Sequence, residues 1–418
     1  MTDENYAAYC ALAAKLGNGE SPSFTEAEQQ LLQQLIYGRF LYDDARDELR
    51  SYKFLHRRTR FETSTLGLVI APTMACNMAC RYCFEGNKRG RMSTEVIDSL
   101  IAFVNRQAAQ LKHLDVCWYG GEPLLAMDII ERLTAAFLEV GTSHGIPYDA
   151  SMISNGYLLT RETVDRLTEL HVRQVQVTLD GPSHIHNRKR PLKNGKESFD
   201  RIIENITYAS GLMSISVRVN VDRTFTADMV QQLLDELARA GLQERVAVNF
   251  GKIESATTAC ANIADQCYEN RDFAAIEAAF YRILLDNGFR IESLPSPSAT
   301  VCMSQQVNSF LIDHEGYLYR CFNYVGDLSR ATGNIKEPID FHHENFQRLF
   351  AFDPFEDEKC RDCTILPICM GGCPARRAEG VASGDQLCDS WKHNLQPMLE
   401  IIARERQQRM QAAVEEKS

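Results

Sequence analysis

The sequence lacks the features that would place it in several common protein classes. Its 418 residues carry a net charge of −11, so there is no basic excess to attract nucleic-acid phosphates. No apolar run approaches the roughly 20 residues that a membrane span requires. The first residues, MTDENYAAYC, are acidic where a secretion signal needs basic ones. We therefore expect a cytoplasmic protein that binds neither nucleic acid nor membrane.

Cysteine, by contrast, is abundant, with 14 residues. A disulfide framework belongs in small secreted domains, and this chain is long and has no secretion signal. In a reducing compartment, clustered cysteines bind metal or carry out redox chemistry. The clustered positions are Cys76, Cys80 and Cys83 in one group and Cys360, Cys363, Cys369 and Cys373 in another, with Cys302, Cys321 and Cys388 flanking the second group.

From Leu66 onward, short β-rich runs alternate with amphipathic stretches. Six such strand–helix units predict a parallel α/β sheet with right-handed crossovers, which can curve into a partial (β/α)6 TIM-like barrel. Its site should lie at the carboxyl ends of the strands. The predicted strands are 66–72, 114–119, 148–154, 172–180, 215–221 and 245–251.

The segments on either side of this alternation differ from it. Residues 1–62 predict helices, with a capping box at Thr25 and Glu28. SLPSPS (293–298) is the best domain boundary, and FLIDHEGYLYRC after it predicts a hairpin that turns at DHEG. The predicted parts are a helical segment (1–62), the partial barrel (63–295), a cysteine-rich domain (296–390), and a terminal helix and tail (391–418).

The first cysteine group supplies three local thiols, whereas structural zinc takes four ligands. On a [4Fe–4S] cluster, three thiolates leave one iron open to a non-protein ligand. A partial zinc site remains the alternative at this point.

CNMACRYC, residues 76–83, resembles the signature of the radical S-adenosylmethionine (SAM) enzymes. In that family SAM chelates the open iron and is cleaved to a 5′-deoxyadenosyl radical, which abstracts hydrogen from the substrate. Further resemblances follow successive strands: the GGEP motif, the [ST]NG motif, and the SxDGPxxxHxxxR stretch of the peptide-maturing branch. The SAM contacts that the resemblance implies are Tyr82, Gly120, Gly121, Glu122, Pro123, Ser154, Asn155, Thr178, Asp180, Arg188 and Arg218. For Arg218, a strand residue paired with a buried acid is an equal alternative.

The second cysteine group, with Gly316, resembles the complete SPASM pattern, so the resemblance covers about residues 66–390. It implies two auxiliary [4Fe–4S] clusters, three clusters in all. Cys302, Cys321 and Cys373 would bind the first auxiliary cluster, and Cys360, Cys363, Cys369 and Cys388 the second. The alternative is a zinc ribbon on Cys360, Cys363, Cys369 and Cys373, which leaves the other three cysteines unexplained.

Two positions depart from the sulfatase-maturing relatives. The segment MSQQVNS (303–309) lacks their additional cysteine, and Phe322 stands where they carry a proposed general-base aspartate. The first auxiliary cluster therefore has an open iron, or Cys260 or Cys267 closes it. Both departures weaken a formylglycine-forming assignment.

The resemblance implies a maturase that cross-links a ribosomally made peptide through a thioether or carbon–carbon bond. Its partners would be the precursor peptide and a reductant such as flavodoxin or ferredoxin. Residues 1–62 would contact a leader peptide or simply pack on the barrel. The alternatives are an anaerobic sulfatase-maturating enzyme and a non-catalytic metal-binding interaction protein.

The iron content separates these classes. Three [4Fe–4S] clusters predict about twelve iron atoms per chain after anaerobic reconstitution, because each cubane holds four. Iron and sulfide analysis measures this number, and alanine at Cys76, Cys80 and Cys83 together should remove about four of the irons. Bound zinc without iron would instead support the non-catalytic alternative.

Overall fold

The computed structural model describes residues 3–17, 23–38, 40–41, 43, 45–86, 89–255, 257–291, 295–299, 302–380 and 387–415. The chain divides into two compact units, Met1–Phe54 and Leu55–Ser418. Residues 293–294 of the predicted boundary segment lie outside the described residues, and the four predicted parts remain predictions. None of the described helices combines the length and the apolar character that a membrane span needs.

The first unit is helical, as predicted. It contains α1 (Asp3–Gly17), α2 (Glu26–Tyr37) and the start of α3 (Glu48–Arg60). The predicted capping box is confirmed, because the Glu28 amide donates to Thr25 Oγ1 at 3.3 Å and the Thr25 amide donates to Glu28 Oε2 at 2.7 Å. Two otherwise unpaired amides at the helix start are thereby satisfied.

The second unit confirms the predicted alternation of strands and helices. Its first six strands are β1 (Thr65–Ile70), β2 (His113–Trp118), β3 (Tyr148–Ser154), β4 (Val172–Thr178), β5 (Ser214–Val221) and β6 (Val246–Lys252). The accompanying helices are α4 (Thr94–Gln107), α5 (Met127–His144), α6 (Arg161–Glu169), α7 (Ser183–Lys189), α8 (Phe199–Ala209), α9 (Ala227–Arg239) and α10 (Asn270–Asp286).

Parallel pairing aligns the carboxyl ends of these strands at one edge of the sheet. Ile70 lies opposite Trp118, and Thr178 lies opposite Arg218. The turns that follow β1 to β4 therefore meet at this edge, which is where a parallel barrel places its site. The expected fold class, a partial parallel barrel, is confirmed.

Alternate residues along β1 and just after it pack into different hydrophobic clusters. Leu68 and Ile70 belong to the large cluster with the helices, whereas Val69 and Ala71 belong to a smaller cluster that contains Tyr119. The two-residue period of a strand produces this separation. The smaller cluster also includes Leu311, so it joins the first strand to the cysteine-rich region.

The hairpin predicted after the boundary segment belongs to the same sheet. Among the described residues the strand order is β7-β6-β5-β4-β3-β2-β1-β8-β9, where β7 is Arg290–Ile291, β8 is Ser309–Ile312 and β9 is Leu318–Tyr319. β8 runs parallel to β1 and antiparallel to β9. The remaining helices are α11 (Glu344–Arg348), α12 (Glu358–Arg361), α13 (Leu366–Cys369), α14 (Pro374–Glu379) and α15 (Trp391–Glu415).

Arg320 anchors the cysteine-rich region after β9. Its side chain is fully buried, and its guanidinium lies 4.5 Å from the ring centre of Phe346 and 5.3 Å from that of Phe350. Its two terminal nitrogens donate to main-chain carbonyls of the segment 303–309. The planar fork of arginine thus fixes the segment between Cys302 and β8.

We predict that Arg320→Lys lowers the free energy of unfolding by about 2 kcal/mol or more, because one ammonium group cannot replace the fork and leaves buried carbonyls unpaired. Denaturant unfolding of the full chain measures the change. The matched control is Arg361→Lys, at an exposed arginine that pairs with Asp362 at 3.0 Å, and its effect should stay within about 0.5 kcal/mol. Equal effects of the two substitutions would contradict the anchoring role.

Candidate functional site

A cavity of about 630 Å³ opens at the carboxyl ends of the strands. Its volume is within the range of about 300–1,000 Å³ that is usual for cofactor sites. Of the residues predicted to contact a cofactor or a cluster here, its walls contain Cys76, Cys80, Cys83, Tyr82, Gly120, Gly121, Ser154, Asn155, Thr178 and Arg218.

The three thiols of the first group face this cavity together. Burial, with a smaller contribution from the nearby Cys80 thiol, raises the pKa of Cys76 to about 12 and that of Cys83 to about 11. Such thiols ionise only beside a strong positive centre, and a metal ion provides one because coordination deprotonates a thiol. The donor set therefore fits an iron–sulfur cluster.

No three His, Cys, Asp or Glu side chains within the described ranges converge closely enough to hold a single metal ion. A four-iron cubane places its thiolates around a larger body, so wider spacing of the sulfurs is compatible with it.

The glycine pair after β2 lets two loops approach closely. A Cβ on Gly120 would lie 2.3 Å from the Thr73 carbonyl oxygen, and a Cβ on Gly121 would lie 2.4 Å from that of Ala75. Gly120 also has a φ of +114°, which side chains rarely adopt. The two glycines therefore allow the β2 turn to pack directly on the main chain that carries Cys76.

Glu122 supports the site from behind the cavity wall. It is fully buried, and its carboxylate accepts from Ser154 Oγ at 2.9 Å and from the Asn155 amide at 2.8 Å. Asn155 in turn donates from Nδ2 to Asn77 Oδ1 at 2.7 Å and to Cys76 Sγ at 3.8 Å. Burial raises the pKa of Glu122 to about 7. Glu122 and Pro123 do not line the cavity, and a chain of hydrogen bonds through Asn155 links Glu122 to Cys76.

Asp180 likewise acts through a neighbour. It does not line the cavity; it accepts from the Tyr82 hydroxyl and, at 3.1 Å, from the Asn220 amide. Arg190 donates to the Tyr82 hydroxyl and lies 3.7 Å from the Asp180 carboxylate. This buried network fixes the ring of Tyr82 in the cavity wall.

The structure places Arg190, rather than Arg188, at the cavity. The Arg188 side chain is exposed and does not line the cavity, whereas Arg190 is buried and does. The reason is helical geometry: His186 and Arg190 are four residues apart and share one face of α7 and its end, and Arg188 falls on the other side. The HxxxR spacing counted from His186 also points to Arg190, so the sequence contained the signal.

Arg218 reaches the cavity from β5. Its Nε donates to Asn220 Oδ1 at 3.1 Å. A Cβ on Gly251 of the neighbouring strand would lie 2.2 Å from the Arg218 guanidinium, so that glycine provides its space. The described contacts of Arg218 do not include a buried acid, which was the alternative interpretation.

Residues that the sequence reasoning did not single out complete the cavity wall. They include Glu85, Tyr119, Lys252, Glu254 and Asn323. Glu254 forms an ion pair with Lys252 and lies 3.6 Å from Arg376. Burial and the nearby Glu85 carboxyl raise the pKa of Tyr119. These residues follow strands or cysteines without a distinctive motif, so spacing alone did not reveal them.

The other cysteines separate into two sets in space. Burial, with smaller contributions from the nearby Cys302 and Cys373 thiols, raises the pKa of Cys321 to about 12. A second cavity, of about 570 Å³, is lined by Cys360, Cys363, Cys369 and Cys388. This interleaved grouping matches the two predicted auxiliary sets and not the zinc ribbon, which requires Cys373 in place of Cys388.

Cys260 and Cys267 lie elsewhere. Cys260 is buried with Ile253 and Ile263, and its sulfur contacts Thr257 and the Glu254 carbonyl. The Cys267 sulfur contacts the Ile263 carbonyl at 3.4 Å. Packing of this small cluster accounts for both thiols, and neither contacts Cys302, Cys321 or Cys373 among the described interactions.

Comparisons with known proteins agree with this architecture. The model of the Radical SAM superfamily matches residues 70–249. The chain is 26% identical over 370 residues to a cysteine-type anaerobic sulfatase-maturating enzyme of Clostridium perfringens, covering 78% of this chain and 94% of that one. It is 27% identical to the mycofactocin maturase MftC of Mycolicibacterium smegmatis, covering 73% and 77%. It is 30% identical to a probable GTP 3′,8-cyclase of Methanopyrus kandleri, covering 66% and 90%.

Solved structures share the fold. Native anSMEcpe with bound AdoMet and Kp18Cys peptide superimposes with a TM-score of 0.60 at 21% identity, covering 81% of this chain and 96% of that one. Streptococcus suis SuiB bound to the precursor peptide SuiA superimposes with a TM-score of 0.57 at 15% identity, covering 87% and 86%.

The two arginines of α7 and its end provide a matched test. We predict that Arg190→Gln lowers stability by about 3 kcal/mol or more, because it leaves the Asp180 carboxylate buried without its cation. Arg188→Gln should change stability by less than about 0.5 kcal/mol. Denaturant unfolding of both full-length variants measures the difference, and Tyr82→Phe separates loss of the hydroxyl from loss of the charge. A larger effect at Arg188 would overturn the reassignment.

Proposed function

The chain belongs to the radical SAM superfamily, and on that premise we propose that it is a peptide maturase that installs an intramolecular thioether or carbon–carbon cross-link in a ribosomally made peptide. Membership implies an enzyme that uses SAM and a [4Fe–4S] cluster. The proposal extends this to three clusters, on the ligand sets given above.

One observation carries the proposal: the wall of the large cavity contains residues from both cysteine regions. Cys76, Cys80 and Cys83 line it on one side, and Phe322 and Asn323, which directly follow Cys321, line it on another. A peptide held in this cavity would lie between the group that abstracts hydrogen and the first auxiliary set. Such an arrangement suits a reaction that removes hydrogen and then an electron from one substrate.

When bound, SAM and the clusters supply the hydrogen-abstracting radical and the electron acceptors. The residues of the chain orient the bound groups and neutralise their charge. Arg218 offers a guanidinium for the SAM carboxylate, since its fork matches carboxylate geometry. The Tyr82 ring, held by Asp180 and Arg190, provides a fixed apolar face for the adenine.

Formation of the new bond also releases a proton, which needs an acceptor. Phe322 removes the aspartate that the sulfatase-maturing relatives carry at this position, but Glu85 and Glu254 both line the cavity. We assign the proton to these two carboxyls. Glu254 lies between the cationic side chains of Lys252 and Arg376.

The proposed partners are a precursor peptide and a one-electron reductant such as flavodoxin or ferredoxin, in the cytoplasm. Support for the peptide comes from the neighbours of known structure, since SuiB was solved with its precursor peptide SuiA and anSMEcpe with a Kp18Cys peptide.

Oxidation of a sulfatase Cys or Ser to formylglycine is the second candidate. The similarity to the Clostridium perfringens enzyme along 94% of its length favours it. Phe322 and the absence of a thiol from the sequence 303–309 count against it.

Product analysis tests the proposal. The anaerobically reconstituted chain, given SAM, dithionite and a cysteine-containing precursor peptide, should form 5′-deoxyadenosine and a peptide that has lost two hydrogen atoms. Loss of the free thiol, measured by alkylation, identifies a thioether, whereas a retained thiol identifies a carbon–carbon bond. Cys80→Ala should abolish both products.

Two results would contradict the proposal. An aldehyde formed on a sulfatase peptide, with no product from precursor peptides, would establish the second candidate. Failure of the reduced protein to cleave SAM would reject the radical mechanism itself.

A further inference from the structure

Two basic side chains donate hydrogen bonds to sulfurs of the second cysteine cavity. Arg377 Nη2 lies 3.5 Å from Cys360 Sγ, and Lys392 Nζ lies 3.4 Å from Cys388 Sγ. Both side chains line the cavity that Cys363 and Cys369 also line. Two of the four thiols of this set therefore accept a hydrogen bond from a cationic N–H group.

The guanidinium of Arg377 is held in place by two further contacts. Its Nε donates to the Gly371 carbonyl, and its carbon lies 3.9 Å from the ring centre of Phe352. Lys392 occupies the first turn of α15, four residues after Cys388. Both donors are therefore placed by secondary structure next to the sulfurs they contact.

The other two thiol sets differ from this one. Cys76 receives its contacts from neutral donors, the Met78 amide at 3.4 Å and the Asn155 amide group at 3.8 Å. Arg190, near Cys80, donates to Tyr82. Arg320, beside Cys321, donates to main-chain carbonyls. Among the described contacts, cationic N–H···S hydrogen bonds occur only in the second cavity.

Positive charge and hydrogen bonds to the sulfurs stabilise the reduced form of an iron–sulfur cluster, which carries one more negative charge than the oxidised form. We propose that Arg377 and Lys392 raise the reduction potential of the cluster held by Cys360, Cys363, Cys369 and Cys388, and so make it the final acceptor of the electron released during maturation, which would reach it through the first auxiliary set. This inference rests on the ligand set of the proposed function.

The electron balance is simple. Closure of the new bond would release one proton, taken up by a carboxyl of the large cavity, and one electron, which a cluster held by these four cysteines would accept. A one-electron carrier protein, such as an oxidised flavodoxin or ferredoxin, would then remove that electron.

Redox titration of the clusters, followed by electron paramagnetic resonance, tests the inference. The full chain with alanine at Cys76, Cys80 and Cys83 retains only the two auxiliary clusters, so their signals are not masked. We expect Lys392→Gln and Arg377→Gln each to disfavour reduction of one auxiliary cluster about tenfold, a shift of about 59 mV to more negative potential for a one-electron couple. Lys392→Arg, which keeps the charge and the donor, should restore the potential.

Lys359→Gln is the matched control. Lys359 is exposed like Lys392 and lines the same cavity, but none of its described contacts reaches a sulfur. Its substitution should leave the reduction potential of the auxiliary cluster unchanged. An equal shift in this control would overturn the role of the sulfur contacts, because it would reflect general surface charge.

The remaining outcomes separate this inference from the proposed function. Unchanged potentials in Lys392→Gln and Arg377→Gln, with about eight irons bound, would overturn the inference and leave the maturase proposal intact. About four irons and one auxiliary signal that Cys363→Ala does not alter would instead reject the ligand set, and the inference with it.

Discussion

The close approach of two main-chain segments underlies the whole candidate site. Gly120 and Gly121 bring the turn after β2 against the loop that carries Cys76, at distances that no side chain larger than hydrogen allows. Glu122 follows directly and, once buried there, orients Ser154 and Asn155. The cysteine loop, the ends of β2 and β3 and the cavity wall are consequently placed by one packing contact, and the chemistry proposed for the cavity depends on it.

The fold was predictable from the sequence because its signals are local and repeated. Strand runs such as 148–154 match β3 residue for residue, and the cap at Thr25 forms as expected. Each of these features depends on a few neighbouring residues. The two cysteine sets of the second region could be assigned only because the family resemblance supplied the interleaved order; spacing alone was equally compatible with a zinc ribbon.

Other parts of the site depend on contacts between residues far apart in the chain. Asp180, which accepts from the Tyr82 hydroxyl, also accepts from the main-chain amide of Asn220. The guanidinium of Arg218 occupies space that is open only because residue 251 on the next strand is a glycine. The pairing of β8 with β1 joins residues more than 200 positions apart. No periodicity records such contacts. The selection of Arg188 instead of Arg190 did not depend on a distant contact, because the spacing from His186 already distinguished the two arginines.

The pairing of β8 with β1 has a mechanical consequence. β8 pairs with β1, the strand that precedes Cys76, and also with β9, the strand that precedes Cys321, so both cysteine regions are attached to one continuous sheet. The sheet therefore sets the distance between the two cysteine regions. Under the proposed cross-linking activity, a peptide would have to span this separation, so its selection would depend on the length of the segment to be cross-linked as much as on its side chains.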